Sequence, residues 1–186
     1  MLKLAILGFL YDRPLHGYEL RRHLAGLTGH IRPISDGTLY PAIKRLEADG
    51  LLVRETEPGS AAAPRHTLHL TDAGRTALLD TLREPEPLDI SDGNRWTTLL
   101  SFLRHLDDPA AQAAVLRRRL VFLSEPASFY YDGDRPRGAE EFADPFRRGL
   151  LLTARATTEA ELSWLRATVA ALESTARTGG PAEPTD

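Results

Sequence analysis

Residues 35–52, SDGTLYPAIKRLEADGLL, decide how the first half of this chain folds. Ser35 and Asp36 carry short side-chain oxygens of the kind that accept from the free N–H groups of a first helical turn. Leu39, Ile43 and Leu46 then recur at i, i+4 and i+7 with Ala42 alongside, marking one apolar helix face. Gly50 ends the run, because a residue without Cβ tolerates the left-handed conformation of a C-terminal cap. The spacing therefore predicts a helix to about Asp49. Pro41 is the irregular feature, since its missing N–H is harmless only within a first turn. The regular helix either begins near Thr38 or bends at Pro41. Both cases leave an exposed N-terminal turn ahead of Pro41, and with the leucines inward, Thr38, Tyr40, Pro41, Lys44 and Arg45 occupy the outer arc.

Upstream, Met1 to Tyr11 carries Leu2, Ile6 and Leu10 with Leu4, Leu7 and Tyr11 beside them, the pattern of a helix buried on most sides. Its lysine and short apolar run lack a small-residue cleavage pattern, so it reads as core and not as a signal peptide. Asp12-Arg13-Pro14 stops it. A second helix is predicted from about His16 or Gly17 to Thr28, with Leu20, Leu24 and Leu27 on one face. Downstream, LLVRETE (51–57) alternates apolar and polar from Leu52, PGSAAAP (58–64) is turn-rich, and RHTLHL (65–70) alternates again. Two short strands with a small tip make a hairpin. Thr71-Asp72 then caps a fourth helix through about Arg83. Helix, helix, helix, hairpin, helix is the order of a winged helix-turn-helix.

Glu84-Pro85-Glu86-Pro87 is a stiff polar break and the expected domain boundary. Beyond it, Trp96 to Leu106 is predicted helical. Asp108-Pro109 and Asp144-Pro145 each pair a capping residue with proline at the first helical position. The first opens a helix carrying Val115, Leu116, Leu120, Phe122 and Leu123 that ends before Pro126, and a loop is expected from Ala127 to Ala143. The second opens what could be one helix to about Arg177, roughly 50 Å long. Its later half spaces Leu162, Leu165, Val169 and Leu172 at 3-4-3 intervals, a seam for which a second chain is the natural partner. The expected fold is mainly α: a winged helix over 1–85, an all-α antiparallel helical dimerisation domain over 86–177, and a disordered tail over 178–186.

Charge alone does not single out a partner. The 186 residues carry a net charge of −3. Residues 1–85 hold eleven Lys/Arg against ten Asp/Glu, and the remainder twelve against sixteen, so the first part is +1 and the rest −4; five of the six histidines lie in the first part. A basic face can still track phosphates when acids sit elsewhere. The absence of cysteine excludes a disulfide scaffold, a thiolate zinc site and a cysteine nucleophile, and fits a cytoplasmic protein. No run approaches the ~18 apolar residues that span a bilayer. Gly-rich phosphate loops, a nucleophile elbow and paired histidine ligands are all missing, so neither an enzyme nor a cofactor or metal site is expected.

Three strings, HGYEL (16–20), SDGTLYPAIKRLEADGLL (35–52) and LTDAGR (70–75), in this order and spacing, resemble the PadR family of bacterial transcriptional regulators. The resemblance covers roughly the first 80 residues; the helical remainder is similar only in architecture to the longer members, whose C-terminal helices make a dimer. It implies that the third helix is a recognition helix in the major groove, with Ser35, Gly37, Thr38, Tyr40, Pro41 and Lys44 facing DNA and Tyr18 supporting the turn or reaching the backbone. The chemistry of those residues agrees: hydroxyls and a helix N-terminus suit phosphate oxygens, and Lys44 supplies charge. The wing departs from the family's basic, tyrosine-rich pattern and leaves only Arg65. The resemblance further implies a homodimer on an inverted-repeat operator in double-stranded DNA, repressing until released by a small aromatic effector, with Trp96, Tyr130 and Trp164 as candidate stacking residues. The competing reading is a winged-helix adaptor that binds protein without specific DNA recognition. Arg117-Arg118-Arg119 reads as a solvated face or an intersubunit ion-pair strip, Glu140, Glu141 and Asp144 as structural groups, and His105 as an interface residue.

Overall fold

A computed structural model describes residues 1–27, 34–57, 65–126 and 130–178. Two compact units divide at Asp107/Asp108. The first opens with α1 (Leu2–Asp12), the two-residue strand β1 (Leu15–His16), α2 (Gly17–Leu27) and α3 (Asp36–Ala48). Strands β2 (Leu52–Glu57) and β3 (Arg65–Leu70) follow, then α4 (Asp72–Arg83), the short α5 (Pro87–Ser91) and α6 (Gly93–Phe102). The sheet is antiparallel in the order β1-β3-β2, with Leu52 opposite Leu70 and Leu15 opposite Leu68. The predicted hairpin thus gains a third strand. Leu15-His16 is too short to show alternation, so β1 was not legible in the sequence.

The exit of α3 explains how the hairpin is aimed. Gly50 has φ 70°, its N–H bonds the Glu47 carbonyl at 3.0 Å, and the Leu51 N–H bonds the Leu46 carbonyl at 2.9 Å. This pair of bonds closes the helix and satisfies two otherwise free carbonyls. Thr71 joins that turn to α4: its hydroxyl donates to the Gly50 carbonyl at 2.8 Å and accepts from the Gly74 N–H at 3.0 Å. Pro41 sits inside α3 and not in its first turn, so the carbonyl of Gly37 has no N–H at position 41 to accept from. Leu39, Ile43 and Leu46 are buried, with Ile6, Leu7, Leu10, Leu20, Leu24, Leu52, Leu78 and Leu82 completing the core.

The division into units falls beyond the expected break at residues 84–87, because α6 packs on α1. A Cβ placed on Gly8 would lie 2.4 Å from Phe102 Cδ1, so only glycine admits that ring. Trp96, Leu99 and Phe102 are buried, and Arg95 pairs with buried Asp89 at 2.6 Å. His105 lies in a 3-10 turn after α6, its ring 4.4 Å from that of Tyr11, and is thus a core residue of this unit.

The second unit pairs α7 (Pro109–Ser124) with α8 (Pro145–Thr178), one continuous helix of 34 residues. Both caps form as expected: Asp108 accepts from Ala110 and Ala111, and Asp144 from Phe146. The stretch expected as loop contains a small hairpin, β4 (Tyr131–Asp132) with β5 (Arg135–Pro136), and a 3-10 turn at Ala139–Glu141. The seam on α8 needs no second chain at its centre, because Leu165 and Val169 are buried within this unit. Arg119 on α7 forks onto Glu161 on α8 at 2.8 and 3.1 Å, and Arg117 pairs with Glu173. At these two positions the arginine run is an intrachain clamp. Phe146, Leu150, Leu152 and Trp164 remain exposed on α8. Of the tail expected over 178–186, Thr178 instead ends α8, and 179–186 lie outside the described residues; no described helix is long and apolar enough to cross a membrane.

Candidate nucleic-acid interface

The outer arc of α3 is open along its length. Ser35, Gly37, Thr38, Tyr40, Pro41 and Lys44 are all exposed, while their neighbours Leu39 and Ile43 anchor the helix from below. Ser35 does not use its hydroxyl as a cap; Oγ lies 3.0 Å from Thr38 Oγ1, so the two hydroxyls present one polar edge at the helix start. Arg21 on α2 pairs with Asp36 at 3.2 Å, tying α2 to this turn and offsetting its one acid.

Tyr40 leans towards the start of α2. A Cβ on Gly17 would stand 3.5 Å from Tyr40 Cε1, so the absence of a side chain in HGYEL lets the ring approach. Tyr18, next in the chain, is 72% exposed and thus the most open tyrosine on this face. The two rings flank a cavity of about 410 Å³ whose wall also includes His16, Arg54 and His66. Its polar groups are held from behind. The His16 N–H donates to Glu19 Oε2 at 3.0 Å, and that bond, chiefly, keeps the Glu19 carboxyl below its ordinary value. His16 Nδ1 lies 3.2 Å from both the His66 carbonyl and Thr67 Oγ1, and Arg54 is forked onto Glu47 at 2.9 and 3.0 Å. Seven of the eight residues expected at the interface therefore share one exposed face. The eighth, Arg65, begins β3, and its side chain lies outside the described residues, as does the tip over 58–64. Sequence reading missed Arg54 and His66 as walls of this cavity, because strand alternation does not reveal which helix a strand faces.

The candidate stacking residues are dispersed. Trp96 is buried in the first unit. Tyr130, half-buried in the second, lines a cavity of about 180 Å³ with Phe122, Leu123, Tyr131 and Arg155. Trp164 lies on the open side of α8 and is not among the residues of that cavity. Glu141 is engaged by Arg135 at 2.7 and 2.9 Å, and no cluster of metal-ligating residues occurs among the described residues.

Three helices, a hairpin stacked on the third, and an open third helix define a winged helix-turn-helix protein. Residues 6–80 match the model of the Transcriptional regulator PadR-like family. Transcriptional regulator Rv3488 of Mycobacterium tuberculosis is 42% identical over 86 residues, covering 46% of this chain and 77% of that protein. The chain belongs to the PadR-like family of transcriptional regulators. Negative transcriptional regulator PadR of Bacillus subtilis is 25% identical over 178 residues, 93% of this chain and 98% of that one. Crystal structures of the same protein match with operator DNA (24% identity, 92% and 98% coverage, TM-score 0.44) and with p-coumaric acid (22%, the same coverage, 0.41).

Proposed function

We propose that this chain is a homodimeric, sequence-specific repressor that reads an inverted repeat with α3 and is released by a small aromatic effector. The observation that carries the reading is the exposed arc of Ser35, Gly37, Thr38, Tyr40, Pro41 and Lys44 beside Tyr18, on a helix whose opposite face is wholly core. A surface of hydroxyls, glycine backbone and one lysine suits groove edges and phosphates, and it has no acid of its own beyond the paired Asp36. Repression is supported by the name of the Bacillus subtilis relative, and an aromatic effector by the p-coumaric acid complex of that protein. Residues 1–85 supply the DNA-binding part in this reading. The exposed apolar residues Phe146, Leu150 and Trp164 of α8, which share one face of the helix at about 100° per residue, supply self-association, since exposed apolar patches mark contact surfaces. Tyr130 and Trp164 are the candidate effector contacts. An effector would act only by binding one of two states more tightly. The site of action is cytoplasmic.

The test begins by mixing the purified chain with fragmented genomic DNA of its source and sequencing what is retained. Enrichment of a few fragments sharing an inverted repeat, lost in a Thr38→Ala/Tyr40→Ala/Lys44→Ala triple variant, is the expected result. On such a fragment Lys44→Ala weakens binding to all sequences alike and lowers the slope of log affinity against log salt by about 0.9 per protomer, about 1.8 for the dimer. Retention of no specific fragment, with a stable complex to another protein instead, would establish the adaptor reading.

A further inference from the structure

A helix lying in the major groove has a phosphate ridge on each side, because its diameter of roughly 10–12 Å nearly fills a groove about 12 Å wide. The outer arc of α3 has two flanks to match. At about 100° per residue, Tyr40 and Lys44 fall on one side of Pro41, and Thr38 and Arg45 on the other. The first flank faces Gly17 and Tyr18. The second opens on a separate cleft of about 370 Å³ whose wall includes Lys3, Thr38, Ala42, Arg45, Leu46 and Asp49. Lys3 and Arg45 are both exposed, and no ion pair or side-chain hydrogen bond engages either among the described residues. The chain thus holds two uncommitted cations, 42 positions apart in sequence, around one cleft that begins at a recognition-turn hydroxyl.

We infer that this cleft is a second phosphate clamp: Lys3 and Arg45, with Thr38, grip the DNA strand opposite the one met by Tyr18, Tyr40 and Lys44. The clamp rests on the DNA-reading function proposed above and extends its footprint to α1. Arg45 supplies a planar fork that takes a phosphate through two parallel N–H donors, and Lys3 a mobile point charge at the rim. Asp49 lies on the same wall, near the end of α3 away from Thr38, and opposes the field of the two cations. Because both cations meet phosphate and not base edges, the clamp adds affinity without adding sequence preference.

The full chain is titrated with the retained operator fragment over a range of KCl concentrations, as wild type, Lys3→Ala, Arg45→Ala, Arg45→Lys, Asp49→Asn and Lys44→Ala. Lys3→Ala and Arg45→Ala each lower the salt slope by about 0.9 per protomer, about 1.8 for the dimer, and leave the ranking of operator variants unchanged. Arg45→Lys restores most of the slope, and Asp49→Asn strengthens binding. Duplexes carrying neutral methylphosphonates on one strand of each half-site, at positions related by the two-fold axis, locate the contact. Neutralising the half-site strand served by the clamp weakens wild type and has little further effect on the Lys3→Ala/Arg45→Ala double variant, whereas neutralising the opposite strand of each half-site weakens both. Unchanged affinity and slope in Lys3→Ala and Arg45→Ala, beside a loss in Lys44→Ala, would overturn the clamp and leave the DNA-reading function standing. Failure of wild type to bind any fragment would remove both.

Discussion

Gly74→Ala tests the joint on which the hairpin hangs. Gly74 is the third residue of α4 and is buried, and a Cβ built on it would lie 2.0 Å from the Leu51 carbonyl oxygen and 2.7 Å from Leu70 Cδ1. An ordinary non-bonded contact needs about 3.5 Å, so the start of α4 and the entry to β2 must part by roughly 1.5 Å. The atom in the way is backbone and cannot rotate aside. Parting the two segments breaks the Thr71 N–H bond to that same carbonyl, 3.2 Å long, and pulls on the Thr71 hydroxyl bond to Gly50. Two such bonds contribute about 1 kcal/mol each, and overpacking costs about 1–3 kcal/mol. The better helix propensity of alanine offsets about 1 kcal/mol. The net expectation is a loss of about 2–4 kcal/mol. Urea unfolding followed by circular dichroism reads it as a fall in midpoint of about 1–2 M, taking a slope of roughly 2 kcal/mol per M. Gly149→Ala on α8, where a Cβ meets nothing within 4 Å, is the control and raises stability by about 0.5–1 kcal/mol. A Gly74→Ala midpoint at or above that of wild type would refute the argument that this glycine is required by close approach.

Two further outcomes follow from the second unit. Arg119→Ala leaves Glu161 half-buried without its fork and destabilises by about 3 kcal/mol, while replacing both residues by methionine and leucine recovers most of that; equal stability of Arg119→Ala and wild type in the same unfolding experiment would show the pair to be idle. Glu141 is held down to about 2, first by the Arg135 hydrogen bonds and then by the Gly138 N–H. Its folded value lies below the ordinary 4.5, so its contribution is complete above pH 4.5 and vanishes as pH falls through about 2. Carboxyl NMR should place the Glu141 midpoint there and move it up in Arg135→Ala; an ordinary midpoint in wild type would contradict the geometry of the 131–142 segment.

Much of this architecture could be read residue by residue because the signals are local. Leu39, Ile43 and Leu46 mark a helix face by periodicity alone. Thr71, Asp108 and Asp144 announce caps that form as expected, and Gly50 adopts the positive φ its position demands. The exposed arc of α3 followed from the same arithmetic, since residues that are not on the core face of a helix must point elsewhere. What escaped was non-local. Strand β1 has two residues and exists because β3 offers an edge to pair with. The unit boundary lies past Pro85 because Gly8 leaves room for Phe102, a coincidence of residues 94 positions apart. Leu165 and Val169 have the spacing of a seam for another chain, yet they are buried where α7 packs on α8.

The chain's local chemistry was therefore sufficient to place its helices, its hairpin and the helix that faces outward, because each depends on residues within a few positions of one another. Which distant groups meet was settled only by packing. Gly17 admits Tyr40 because the start of α2 comes within reach of α3, Arg119 finds Glu161 because α7 lies along α8, and Lys3 and Arg45 line one cleft because the start of α1 comes to rest beside α3. No periodicity records such meetings. They follow from how apolar faces bury one another in three dimensions, and the charges and rings carried on the opposite faces are brought together as a consequence.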